Sequence, residues 1–445
     1  MAIIPQQSIF VWKDIDELGD LERLRLVLDY MPDNKLMNKL ERERSNGRDD
    51  HPVRAMWNSI LAGIVYGHIS IESLRRELSR NGQLRFMCGF YSSGRKSANA
   101  GKINIIPSSA AFTRFLKKLF AYEDDINDIF DKLVEQLREA LPDLGKDLAI
   151  DSKAIASIAN RENKKDTGDG RRDKDANWGR KDYKGNKGDG TAWEKTVSWF
   201  GYKLHIIVDT KYELPLEFSV TKASEPDINE AHRLIDNLEN NKPDILKRAV
   251  SLEADRAYDD TKLIKRLWDE HSIKPVIDIR NMWREPDGTR LLEDYKNVVY
   301  NYKGNVYCYC PETGKKREMS VGGFEKDRGA LKKLCPAKQY GIECKGNAEC
   351  AVKHGIRIKL DVDRRIFTPI DRASYKWVRE YKKRTSVERV FSRLDESYGF
   401  EKHYIRGKTK MKIRCGISLC VMLAMALGRI KENQEDKMRS LIKPA

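Results

Sequence analysis

The chain has 445 residues, with 84 Lys and Arg against 68 Asp and Glu, a formal net charge of +16 and a pI of about 9.3. Hydrophobic residues make up 40% of it, which excludes a disordered chain and leaves room for two or three domains with a sizeable core. The cationic excess points to a polyanionic partner, nucleic acid first and a membrane surface second.

The N-terminal stretch "MAIIPQQSIFVWKDIDELGD" turns acidic and lacks the basic-then-apolar order of a secretory leader. The longest apolar run, Cys415 to Gly428, is too short to span a bilayer and reads as a buried helix. A cytoplasmic location is therefore expected, with the eight cysteines reduced or metal-bound rather than paired.

Residues 1 to 145 are predicted to be all-helical. In "PVRAMWNSILAGIVYG", Val53, Met56, Trp57, Ile60, Leu61, Ile64 and Val65 fall on one helical face, and Ser70 can cap the next helix. "YSSGRKSANAGK" reads as a loop, after which Ser109 starts a helix carrying Thr113, Arg114, Lys117 and Lys118 off its apolar face. These basic faces suit DNA, as in a helix-turn-helix, and equally suit an ordinary bundle with solvated lysines.

Near residue 146 the pattern changes. "DLAIDSKAIASI" reads as a strand, and the Gly-, Lys- and Asp-rich stretch over 160–190 as a loop. Two strands follow around a turn at Thr210-Lys211, then helix, strand, helix and strand through "IKPVIDI". That order predicts an α/β fold, a mixed sheet flanked by helices. Residues 286 to 366 interrupt it with five cysteines, and a further helix begins near Thr385.

Two aspartates close strands: Asp151 in "DLAID" and Asp255 in "VSLEAD". Acids at strand ends of such sheets point into the crevice where ligands collect, although Asp is also a common turn residue there. A third acid, Glu388, stands among cations in "EYKKRTSVERVFSRL". Thr385-Ser386-Val387-Glu388 also has the form of a capping box. Three carboxylates converging in one crevice repel each other unless divalent cations join them, and Mg²⁺ takes such hard oxygen ligands.

In these segments the chain resembles the DDE transposases of bacterial insertion sequences, which have a ribonuclease H-like catalytic core. "IDSKAI", "GYKLHIIVDTKYELPLEFSVT", "ADRAYDD" and "YKKRTSVERVFSRL" stand in that family's order, and Tyr381, Arg384 and Glu388 match a Tyr-x-x-Arg-x-x-x-Glu signature. Where the signature adds a basic residue seven positions after Glu, this chain has Asp395.

The resemblance implies a helical DNA-binding and dimerisation domain over 1–145. The core then runs over 146–285 and 367–430, broken by the Cys-rich insertion over 286–366 and followed by a tail over 431–445. It implies catalysis by Asp151, Asp255 and Glu388 as ligands of two Mg²⁺ or Mn²⁺ ions, with cleavage at terminal inverted repeats and 3′-hydroxyl strand transfer. Tyr381, Arg384, Lys382, Lys383, Arg389, Arg393, Arg114 and Lys117 are the expected DNA contacts, and a homodimer on two transposon ends is implied. A nuclease without strand transfer would use the same acids, and a non-catalytic repressor would need only the charge.

Cys310, Cys335, Cys344 and Cys350 could form a structural zinc site, with His354 as a substitute ligand, or could simply fill a small insertion. Cys88, Cys415 and Cys420 lie in apolar surroundings and read as core. His205 and Asp209 read as structural, while Trp178 and Trp193 suit DNA contact and Trp193 or Trp199 a flipped base.

Overall fold

The computed structural model describes residues 19–44, 51–90, 106–159, 173–186, 188 and 191–441. The loop expected over 91–102 lies outside them, as do residues 160–172 of the loop expected over 160–190. The chain divides into two compact units: residues 1–141, 156–176 and 392–445 form one, and residues 142–155 and 177–391 the other.

The first unit is helical. It holds α1 (Leu21–Tyr30), α2 (Asn34–Arg44), α3 (Val53–Val65), α4 (Ile71–Arg80), α5 (Gly82–Cys88), α6 (Ser109–Leu119) and α7 (Glu123–Ala140). Ser70 caps α4 by accepting from the Ser73 amide, as its position predicts. Ser108 does the same for α6 through Ala111, one residue before the predicted helix start. Trp57 is buried on α3, and its Nε1 donates to the buried Asp33 carboxylate, which Arg54 also engages. The long helix Lys408–Lys431 packs against α7 and α1. Arg25 clamps its C-terminal cap Glu432 through two 2.7 Å bonds.

That C-terminal helix is longer than its apolar run. By length and composition it could cross a membrane, but 94% of its most apolar window is buried inside the unit, so it is a core helix. Cys415, Cys420 and Cys88 are buried as expected.

The second unit is built on a six-stranded sheet. Its strands are β1 (Asp147–Ala156), β2 (Asn177–Asn186), β3 (Ala192–Asp209), β4 (Leu214–Lys222), β5 (Ser251–Ala254) and β6 (Lys274–Ile277). The order is β2-β3-β1-β5-β6, with β4 also on β3. β3 is long enough to pair antiparallel with β2 over its first half and with β4 over its second. β1, β5 and β6 run parallel. With α8 (Asp227–Asn241), α9 (Pro243–Arg248) and α10 (Thr261–Lys265), this is the ribonuclease H-like mixed sheet flanked by helices.

β3 explains its own span. Residues 192–198 are exposed, while Trp199 onward is apolar and buried. The exposed half pairs with β2, which the sequence reads as loop because it has almost no aliphatic residues. Strand formation there comes from the partner instead. Gly179 on β2 lies directly opposite Trp199, and a Cβ at 179 would stand 2.4 Å from the indole. The indole lies over the glycine and its Nε1 donates to the Tyr202 carbonyl at 3.1 Å. Trp199 is therefore a packing residue rather than a receiver for a flipped base. Trp178 and Trp193 remain exposed.

His205 and Asp209 are structural, as read. His205 is 0% exposed and hydrogen-bonded to Thr221 Oγ1 at 2.8 Å. Asp209 accepts from the Gly145 and Tyr212 amides and holds the turn between β3 and β4.

The insertion folds as two small antiparallel sheets. One contains β7 (Arg290–Leu291), β8 (Val298–Tyr300), β9 (Val306–Tyr309) and β10 (Lys316–Glu318). The other contains β11 (Ser320–Glu325), β12 (Ala330–Leu334) and β13 (Ile356–Lys359), with the short helix α11 (Pro336–Tyr340) after β12. A shared core of Val298, Val306, Leu331, Val352, Ile358 and Phe367 joins them, and Cys308 and Cys350 are part of it.

Among the described residues no three His, Cys, Asp or Glu side chains are grouped to hold a metal ion. The four cysteines named for a possible zinc site are therefore not drawn into such a group in this structure, although the charges of Cys335, Cys350 and Cys344 bear on Cys308. Cys350 packs into the apolar core and accepts from Asn297 Nδ2. Cys310 sits in a turn against Gly346, whose Cβ would lie 3.4 Å from its sulfur.

Candidate active site

The parallel register builds the site. Asp147, Leu148, Ala149 and Ile150 of β1 stand opposite Ser251, Leu252, Glu253 and Ala254 of β5. Side chains alternate along a strand, so Asp147, Ala149 and Asp151 share one face, as do Ser251, Glu253 and Asp255. The next step of the register sets Asp151, midway along β1, beside Asp255, just past the end of β5. Each carboxylate is fixed by its own backbone: Asp151 Oδ1 accepts from the Ser152 amide at 2.7 Å, and Asp255 Oδ1 from the Ala257 amide at 2.8 Å.

Burial pushes the Asp151 carboxyl up to about 6, with the charge of Asp255 adding to it; Lys181 and Arg384 oppose the shift. Tyr258, fully buried near both acids, is held protonated, chiefly by burial and then by the charge of Asp151.

The third acid arrives on a helical run: α12 (Tyr375–Tyr381), a 3-10 turn over Lys382–Arg384 and then α13 (Thr385–Tyr398). The chain is already helical when it reaches Thr385, which corrects the expected capping box. Thr385 has helical backbone angles, and its hydroxyl donates to the Lys382 carbonyl at 3.0 Å. Glu388 turns to Arg384 instead. Arg384 Nη2 donates to Glu388 Oε1 at 2.7 Å, and Nη1 to Asp151 Oδ2 at 3.4 Å. One guanidinium thus ties an acid of β1 to the acid of α13. Glu388 keeps 52% of its side chain exposed, whereas Asp151 keeps 16%.

A second cation anchors the run one residue earlier. Lys383 Nζ donates to Asp147 Oδ2 at 2.9 Å and pairs with Glu380. Below it lies Glu253, fully buried, accepting from Ser251 Oγ at 2.6 Å; burial pushes its carboxyl up to about 8. Sequence reasoning did not find Asp147, Ser251, Glu253 or Glu380. For the strand residues the signal was present in the even spacing within "DLAID" and "SLEAD", which puts polar groups in line with each catalytic candidate.

The segment entering α12 is also tied down. Arg365 forks onto Asp259 through bonds of 3.1 and 2.7 Å, Arg372 donates to the Ile277 carbonyl, and Lys333 of the insertion pairs with Asp371 at 2.6 Å, fully buried.

The other expected DNA contacts divide. Arg114 and Lys117 in the helical unit and Lys382 here are exposed. Tyr381 is half-buried, its ring stacked on Trp377 at 4.9 Å with Arg384 at 5.9 Å from its centroid. Arg389 pairs with Glu213 at 2.5 Å. Lys383 is committed to Asp147 and Glu380 rather than turned outward, and Arg393 is only 5% exposed among Ser397, Tyr398 and Met422.

Asp151 and Asp255 suit a divalent cation. Two carboxylates held side by side, one of them partly desolvated, gain from a dication between them, and both are aimed by backbone bonds rather than neutralised by a dedicated lysine. Glu388 is not drawn into a metal-holding group of three with them.

Neighbouring aspartates on β1 and just past β5, with a glutamate on α13 joined to one of them through Arg384, form the acidic set of this mixed α/β unit. The Transposase DDE domain family matches residues 146–424, and the chain belongs to that family, whose members generally use divalent metal ions. No curated protein matches it. A solved piggyBac transposase synaptic complex with hairpin DNA is similar over 98% of this chain and 79% of that one, at 12% identity and a TM-score of 0.38.

Proposed function

We propose that the protein is the transposase of an insertion sequence. It binds the terminal inverted repeats of its element, cleaves DNA there with two Mg²⁺ or Mn²⁺ ions, and joins the freed 3′-hydroxyl to target DNA. It acts as a homodimer that pairs two ends, in the cytoplasm on nucleoid DNA. The observation that carries the reading is the placement of Asp151 beside Asp255, with Glu388 joined to Asp151 through Arg384. The net charge of +16 supplies the attraction to DNA and predicts steep salt dependence of binding.

Bound divalent ions would activate the attacking oxygen and stabilise the leaving one. The chain's own residues do the rest. Asp151 and Asp255 hold two negative charges at fixed positions, Glu388 offers a third from a more exposed site, and Lys382 and Arg384 of the α12–α13 run hold the DNA phosphates nearby.

The test uses the full chain with duplex DNA carrying the inverted repeats that flank its gene. Strand cleavage is expected with Mg²⁺ or Mn²⁺, and Asp255→Asn is expected to lower it by about a thousandfold or more while leaving DNA binding intact. Undiminished cleavage by Asp255→Asn would refute the assignment. Joining of pre-cut ends to a target duplex separates a transposase from a nuclease that only hydrolyses.

A further inference from the structure

We infer that Arg384 is an exchangeable internal cation. Without metal it is held by Asp151 and Glu388; when divalent ions take the carboxylates it passes to a phosphate of the bound DNA. The inference rests on the proposed role of Asp151, Asp255 and Glu388 as ion ligands.

The geometry points to it directly. Both terminal nitrogens of one guanidinium are used on carboxylates, one on a strand and one on a helix, at 3.4 and 2.7 Å. These are the positions that a divalent ion would compete for. A guanidinium does not lose its proton in a protein, so its charge cannot be removed to make room. A dication binding Asp151 and Glu388 therefore has to displace Arg384 as a whole.

The side chain has somewhere to go. It is 19% exposed, with its guanidinium 5.9 Å from the centroid of the Tyr381 ring. Its planar fork matches a phosphate as well as a carboxylate. Lys383, one residue earlier, is the contrast. Asp147 and Glu380 hold it, and neither is among the proposed ion ligands.

Competition for one residue couples the two ligands. DNA that draws Arg384 onto a phosphate frees the carboxylates, so metal affinity rises; by linkage, metal raises DNA affinity by the same factor. The device keeps the acids neutralised and weakly metal-binding until a DNA end is in place.

The test measures Mn²⁺ binding to the full chain by calorimetry, with and without a duplex oligonucleotide of arbitrary sequence. Arg384→Met keeps the aliphatic stem over Tyr381 and removes the charge, and Arg384→Gln is the second variant. Both are expected to bind Mn²⁺ about tenfold tighter than the wild type in the absence of DNA, within the usual range of coupling between sites. The duplex is expected to tighten Mn²⁺ on the wild type but no further on the variants. Structural damage would weaken binding, so tightening reports charge removal. Mn²⁺ bound through Asp255 but no tighter in either variant would overturn the role of Arg384 alone. Mn²⁺ binding that Asp255→Asn leaves unchanged would overturn the ligand assignment and this inference with it.

Discussion

Acid weakens the sheet unit through His205, and the size of the effect follows from its surroundings. The ring is fully buried on β3. Thr221 Oγ1 donates to the Lys222 carbonyl, so Nε2 of the ring carries the proton it shares with Thr221, and Nδ1 is a lone pair. Burial lowers the imidazole from its ordinary 6.5 to about 4. Asp227, at 3.7 Å from Nδ1, pulls the other way. It loses because Lys203 already holds that carboxylate oxygen at 2.8 Å. The unfolded chain therefore binds a proton more readily than the folded one between pH 6.5 and 4, and stability present above 6.5 is lost as pH falls.

Each pH unit in that window costs about 1.4 kcal/mol, so His205 costs about 2 kcal/mol at pH 5. Replacing it by Gln removes the titration at the price of some packing at every pH. Urea unfolding followed by tryptophan fluorescence at pH 7 and pH 5 compares the two proteins. The advantage of wild type over His205→Gln is expected to shrink by about 2 kcal/mol on acidification. His403, also lowered by burial to about 4, is present in both and cancels. An advantage that stays constant across the two pH values would refute the argument.

Three further outcomes are expected. Gly179→Ala places a methyl group 2.4 Å from the Trp199 indole and should cost about 1–3 kcal/mol, read as easier proteolysis of the β2–β3 hairpin. Asp33→Ala leaves the Trp57 Nε1–H buried without its acceptor and should cost the helical unit about 1–3 kcal/mol in thermal unfolding; Asp33→Asn, which still accepts, should cost less. Lys383→Ala should lower the stability of the sheet unit by about 1–2 kcal/mol while barely changing DNA affinity in a filter-binding assay, because its charge serves Asp147 and Glu380. A large loss of DNA affinity without loss of stability would show that Lys383 faces the DNA after all.

How far the sequence reveals this site depends on where each interaction partner lies. Asp151 and Asp255 were legible because an apolar strand segment closed by Asp is a local pattern, and a parallel register turns two such patterns into neighbours without further information. Glu388 was legible through its spacing from Tyr381 and Arg384. The capping-box reading failed for the opposite reason. Thr385 looks like a first helical residue only if the chain before it is not helical, and that is decided by the anchoring of α12 through Lys383 to Asp147, more than two hundred residues away. β2 was missed in the same way: nothing in "NWGRKDYKGN" favours a strand until Trp199 lies over Gly179.

The cysteines carry the same lesson with the sign reversed. Five thiols in one insertion leave a metal site and a packed core both open when counted along the chain; in the fold Cys308 and Cys350 share an apolar core with Val298 and Val352, and spacing carries no record of that core. The helix of Glu388 is in turn held by residues with no chemistry of their own to announce them. Lys333 on an insertion strand, Arg365 and Arg372 each satisfy a buried partner: Lys333 ties the approach to α12 to the insertion, Arg365 ties it to Asp259 beyond β5, and Arg372 to Ile277 on the edge strand β6. The acids can be read from the sequence because their roles are local, whereas the precision with which Glu388 is delivered depends on pairings that exist only after folding.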